Sequence, residues 1–248
     1  MPGWLAGVWA DLADLVLPAE CAGCAVAGAT LRYGVCPGCV AALESLTPFP
    51  TRPTPAPPGM PRCVALGGYD GVLREVLLGY KERGRHTLGR PLGVLLARAV
   101  AEASGGSGTP VLLLPVPATA AAARRRHGDH VWRLARHAAA ELRRSGRGAA
   151  VTQPVRALPR QDSAELDRAG RAAAAAMAFR LRSSRVPGTR GRAARARVVL
   201  VDDIVTTGAT LAAVSLRLAE AGLQVSASAV LAATARRAVP VRGTEIWT

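Results

Sequence analysis

A chain of 248 residues, half of them hydrophobic, can bury one good core and leave room for a small appendage. Aromatic residues make up only 4%, so the core must rest on Ala, Val and Leu, which suits a sheet covered by helices and argues against a β-sandwich. The formal charge of +15 points toward nucleic acid, yet nearly all of it is arginine, with Lys81 the only lysine and with Ala runs at Ala120–Ala123 and Ala172–Ala176. GC-rich coding gives the same composition, so a generally basic surface and a dedicated nucleic-acid face both stand as readings.

Leu5, Val8, Trp9, Leu12, Leu15 and Val16 share one helical face, which predicts a short amphipathic helix over Trp4–Leu17. It lacks a basic start region and is interrupted by Asp11 and Asp14, so no signal peptide is expected. No stretch reaches the roughly 18 uninterrupted apolar residues of a membrane span. The cytoplasm is the expected compartment.

Two C-x-x-C pairs follow, Cys21 with Cys24 and Cys36 with Cys39, and the stretch between them contains Gly28 and Gly34. Each pair can form a tight knuckle, and together they supply four thiolates for a closed, structural zinc site. A redox pair or unliganded thiols are the competing readings, and the second pair favours zinc. So small a segment has little core of its own, so metal binding would supply its folding energy. A short helix runs on to Leu46. Pro48–Pro61 is dense in Pro and Thr and reads as a semi-rigid linker. The expected division is a zinc-binding segment over residues 1–47, a linker over 48–61 and one domain over 62–248.

Beyond the linker, Cys63–Tyr69 is a predicted strand, with Cys63 a buried small apolar residue. Val72–Tyr80 is a predicted helix leading to Lys81, which reads as a point charge for a pyrophosphate leaving group or as an ordinary solvated lysine. A helix over Leu88–Ala103 closes in the Gly/Ser-rich turn 104–109. Val111–Val116 has the pattern of a buried parallel strand, and Pro115-Val116-Pro117 is either the start of a pyrophosphate-contacting loop or a simple strand stop. Arg124–His130 forms a charged loop, and His127 and His130 lack the i, i+4 spacing of helical metal ligands. Asp129–Arg144 reads as a helix, Val151–Val155 as a weak strand, Gln161–Arg171 as a mobile polar loop, Gly170–Phe179 as a helix and Arg182–Arg197 as an Arg-rich loop. Val198–Val201 is a second buried strand, Thr210–Ala221 a helix and Val225–Val230 a last strand. Alternating strands and helices imply an α/β fold with a parallel sheet and ligands beyond the carboxyl ends of its strands.

The most informative run is Val198-Val199-Leu200-Val201-Asp202-Asp203-Ile204-Val205-Thr206-Thr207-Gly208-Ala209-Thr210. Two carboxylates appear where a buried strand emerges, and hydroxyl residues and a glycine precede a helix. The N–H groups and positive dipole end of a helix N-terminus hold a phosphate dianion. Carboxylates would repel that phosphate at contact but serve one sugar away, accepting hydrogen bonds from hydroxyls. The bland alternative is a strand–loop–helix corner in which Asp203 or Thr207 only caps the helix. There is no P-loop and no G-x-G-x-x-G after a strand.

The run resembles the ribose-phosphate signature of type I phosphoribosyltransferases. That resemblance places the ribose hydroxyls on Asp202 and Asp203 and the 5-phosphate on Thr206, Thr207, Gly208, Ala209 and Thr210. With the cysteine pairs, the linker, Tyr80-Lys81-Glu82-Arg83-Gly84 and the Pro115-Val116-Pro117 strand end in this order, most of the chain, from about Leu15 to the final strand, is similar to the ComF family of competence-associated proteins. The family implies a parallel sheet flanked by helices behind a four-cysteine zinc knuckle, and a phosphoribosyl pyrophosphate donor bound with magnesium. It also leaves two functions open. One is phosphoribosyl transfer, with Asp202, Asp203 and Lys81 as catalytic candidates; the other is single-stranded DNA handling during DNA uptake. Two departures bear on transfer more than on binding: Arg126-His127-Gly128-Asp129-His130 replaces R-G-F-N-Q, and the pattern that keeps Gln161 and Arg171 lacks its asparagine.

Overall fold

The computed structural model describes residues 20–105, 108–159 and 178–234. The helix expected at Trp4–Leu17, the loop at Gln161–Arg171 and most of the helix expected at Gly170–Phe179 lie outside the described residues. The chain divides into two compact units, Met1–Ser45 with Asp70–Leu88 and Leu46–Tyr69 with Gly89–Thr248.

In the first unit the cysteine loops lead into α1 (Pro37–Glu44), which starts on a proline. A second helix, α2 (Gly71–Glu82), buries Leu73, Val76, Leu77 and Tyr80 along one stripe. A turn of 3-10 helix at His86–Leu88 follows. The cysteine segment closes on this helix: a Cβ added at Gly23 would lie 2.8 Å from Cys39 Sγ and 2.9 Å from Val72 Cγ1. Arg85 Nη1 ties the far end by donating to the Glu20 carbonyl at 2.7 Å. The segment has little core of its own, and α2 lends it one. Sequence proximity had assigned that helix to the residue 62–248 domain.

The second unit is an α/β structure whose six-stranded sheet runs β1 (Phe49–Thr51), β2 (Cys63–Gly68), β8 (Ala227–Ala233), β7 (Arg197–Val205), β3 (Val111–Pro115), β4 (Ala149–Val151). Only β1 is antiparallel. Val111, Leu112, Leu113 and Leu114 are all buried, as in a strand covered on both faces. Helices α3 (Gly89–Ala103) and α5 (His130–Arg144) pack together and against β2, β8, β3 and β4. The other face supports α7 (Ala209–Glu220) and a separate ribbon of β5 (Val155–Ala157) with β6 (Phe179–Leu181). Here Leu112, Leu114, Val198 and Leu200 meet Leu211, Val214 and Leu218. Short helices α4 (Ala120–Arg125) and α6 (Val186–Ala193) complete the described elements.

Several expectations change. Pro48–Pro61 is not without regular structure: it carries β1, because Phe49–Thr51 finds the open edge of β2. The weak strand at Val151–Val155 is two strands parted by Thr152, Gln153 and Pro154. Phe179 belongs to β6 rather than a helix, and the Arg-rich loop contains a 3-10 turn and α6. Several arginines donate to backbone carbonyls, as Arg190 does to Ala221 at the end of α7 (2.6 Å), Arg143 to Ala149 (2.7 Å) and Arg147 to Thr109 (3.1 Å). No helix among the described residues is long and apolar enough to cross a membrane.

Candidate functional site

At the carboxyl end of β7 a small cavity open to solvent is lined by Asp202, Ile204, Val205, Thr206, Thr207, Gly208, Ala209, Thr210 and Leu211. The strand runs through Val205, so both acids lie inside it rather than beyond its end. Gly208 adopts φ +75°, a left-handed conformation that turns the chain from strand to helix. No side chain caps α7 at Gly208, although the Ala209 N–H donates to Thr207 Oγ1 at 3.3 Å. The α7 N-terminus therefore presents its amides and dipole at the cavity. Met60 and Pro53, from the proline-rich segment, press on Gly208 so closely that an added Cβ would collide with the Met60 sulfur.

Asp202 and Asp203 sit in different surroundings. Successive strand residues point to opposite faces, and the two acids separate accordingly. Asp202 is half-buried and lines the cavity; its Oδ1 accepts the Asp203 N–H at 2.9 Å. Asp203 is 5% exposed and does not line it. It turns toward the first residue of α5, where His130 Nε2 lies 2.7 Å from Asp203 Oδ2. A carboxylate only accepts, so this ring nitrogen carries the proton and donates.

A half-buried polar network is built on the residue next to His130. Asp129 caps α5 by accepting the Trp132 N–H at 3.1 Å, and its other oxygen accepts from Gln153 Nε2 at 2.9 Å. The same oxygen accepts the Ala118 N–H at 3.4 Å, from the turn after Pro115-Val116-Pro117. Asp129 and His130 thus bind together the loops at the ends of β3, β4 and β7. Sequence reasoning missed His130 as a partner of the acids. The signal was there: Ile204 and Val205 extend the apolar strand past both carboxylates, which forces them onto opposite faces.

The first unit holds the other chemistry. The sulfurs of Cys21, Cys24, Cys36 and Cys39 all lie within 4.8 Å of one another, and those of Cys24 and Cys36 are 3.7 Å apart. Tetrahedral zinc with ~2.3 Å bonds sets sulfurs roughly 3.8 Å apart, so the four could hold such a metal. Burial pushes the Cys21 thiol up, but backbone N–H groups of Cys36, Cys24 and Gly23 outweigh it and bring it down to about 6. The Cys36 N–H donates to Cys21 Sγ at 3.2 Å and that of Gly23 at 3.4 Å. Burial raises Cys39 strongly, and neighbouring thiols add to it. Lys81 lies in the last turn of α2, in this unit and not in the one that carries β7. Cys63 is buried as expected, and burial pushes its thiol up to about 12.

No curated protein matches the chain. Residues 174–246, under a third of its length, match the phosphoribosyl transferase domain family, and that stretch contains β7, the cavity loop, α7 and β8. The part of the chain that builds the cavity is therefore similar to a phosphoribosyl transferase domain.

Proposed function

We propose that the cavity at the end of β7 binds the ribose 5-phosphate half of 5-phosphoribosyl pyrophosphate. The observation that carries this reading is the gathering of Asp202 and the whole Thr206–Thr210 loop around one cavity, at the N-terminus of α7 and the carboxyl end of a parallel strand. Thr206, Thr207 and Thr210 supply hydroxyl donors, and the amides of Gly208 and Ala209 supply the rest of a phosphate cradle. Asp202 accepts hydrogen bonds from the sugar, and Asp203 supports the acidic side of the site. Asp202 is the only carboxylate among the lining residues, which fits magnesium carried mainly by the ligand's pyrophosphate oxygens rather than a protein cage. Such a metal would neutralise charge on the departing pyrophosphate.

Transfer of the phosphoribosyl group with release of pyrophosphate follows as the proposed reaction, driven by positioning and electrostatics. Lys81 remains the proposed cation for the leaving group on its chemistry alone. The four cysteines are proposed to hold structural zinc, with Cys21 entering as a ready thiolate. Calorimetry with the pyrophosphorylated sugar and magnesium tests the ligand assignment: the Asp202→Ala/Asp203→Ala protein is expected to lose at least tenfold in affinity. Equal affinity in both proteins would overturn it.

A second reading, single-stranded DNA handling in the manner of the ComF family, draws on a different observation. Arg156 and Arg180 face each other across β5 and β6, both exposed, a like-charge pair that destabilises a bare ribbon and suits a bound polyanion. Burial, then Arg185 and Arg156, lowers the proton affinity of nearby Arg182. Arg124 and Arg125 are exposed as well. Oligonucleotide binding that falls steeply with salt and is lost on charge reversal at Arg124–Arg126 would favour this reading.

A further inference from the structure

We propose that His130 is a positioning residue that divides the work of the two acids: it holds the Asp203 carboxylate on the α5 face of the sheet, so that Asp202 alone touches the sugar. This rests on the ribose 5-phosphate reading of the cavity. Three observations carry it. The strand is continuous from Arg197 to Val205, so adjacent side chains at 202 and 203 take opposite faces. Asp203 and His130 are both buried, with a 2.7 Å hydrogen bond between them. Asp202 lines the cavity and Asp203 does not.

The arrangement has a physical logic. A carboxylate buried beside a phosphate site without a donor would be costly, and the His130 N–H meets that need. His130 is itself fixed, because it opens α5 directly after Asp129, which is bonded to Trp132, Gln153 and Ala118. Asp203 then anchors the exit of β7. The anchor sets the backbone from which Asp202 and the Thr206–Thr210 loop project. The Asp203 N–H to Asp202 Oδ1 bond passes that constraint to the sugar-facing side chain.

Calorimetry on the full chain with ribose 5-phosphate as the probe separates the roles. Asp202→Asn is expected to weaken binding more than tenfold. Asp203→Asn and His130→Ala are each expected to cost about three- to tenfold, and the double variant no more than the worse single one, since His130 acts through Asp203 (coupled neighbours do not add, roughly). His130→Gln, whose amide can donate to the same carboxylate, should return affinity to within about twofold of wild type; a purely space-filling role would not need a donor. In the proton spectrum, the His130 Nε2–H signal should disappear in Asp203→Leu, which has no acceptor, whether or not ligand is present. Three results would overturn the proposal: Asp203→Asn as damaging as Asp202→Asn while His130→Ala binds normally, additive losses in the double variant, or no such proton signal. Wild type that keeps the signal but fails to bind ribose 5-phosphate would sink the ligand assignment, and the division of sugar contacts with it, while the His130–Asp203 bond stood.

Discussion

At the scale of single residues, Gly208 concentrates the demands of the cavity. Its φ of +75° is one that residues with a Cβ rarely adopt, and Met60 fills the space a side chain would need. Gly208→Ala should therefore destabilise the protein by roughly 1–3 kcal/mol, read from the urea midpoint, and weaken ribose 5-phosphate binding. Removing the Met60 side chain as well should recover only part of the stability, because the backbone strain remains. Full recovery would show that crowding alone fixes the glycine. The strand–turn–helix corner that holds this glycine and these threonines was legible in the sequence, since a buried apolar run gives way there to a helical period. Met60 was not, because its neighbour in space lies far along the chain. Asp129 and His130 take on meaning only in three dimensions, as the cap of α5 and the partner of Asp203.

At the scale of elements, periodicity found most of the helices and the buried strands, because their apolar spacing is dense and long. It failed where elements are short or interrupted. Three-residue strands such as β1 and β4 carry too few side chains to show a pattern and exist through their pairing with β2 and β3. The close packing of α3 on α5 shows the same dependence on partners. Gly93 leaves no room for a Cβ beside His137, so the helices meet at van der Waals contact. Burial there, then Arg136 and Arg90, lowers the proton affinity of His137 below its ordinary value. Below about pH 6.5 the unfolded chain then takes up a proton at this position more readily than the folded one, so stability falls on acidification. The drop in Tm between pH 7.5 and 5.5 is expected to be smaller in His137→Gln than in wild type. An equal drop would assign the acid sensitivity to other groups.

At the scale of the whole molecule, the sequence conveyed the α/β class and the four-cysteine set, while packing groups the chain differently from a division at composition changes. Linear reading places boundaries at composition changes, and the proline-rich stretch was the obvious one; packing instead groups residues 70–88 with the cysteines and residues 46–69 with the sheet. If the cysteines hold zinc, chelation should loosen α2 as well as the knuckles, since both share one apolar core. Hydrogen exchange with and without a chelator measures this: protection at Leu73–Tyr80 should fall with that of Cys36–Leu43, while β3, β7 and β8 keep theirs. Unchanged protection on α2 would show that the helix stands without the metal.

The interleaving of the two units has a practical consequence for anyone trimming the protein. A shortened version beginning near residue 48 looks reasonable from the sequence, since it discards the four clustered cysteines and keeps every described strand. It would also keep an apolar helix, with Leu73, Val76, Leu77 and Tyr80 on its buried stripe, while removing the segment grouped with it. Such a fragment should clump on expression, and the cure would be to excise residues 70–88 along with the amino-terminal piece and bridge the gap with a short flexible insert.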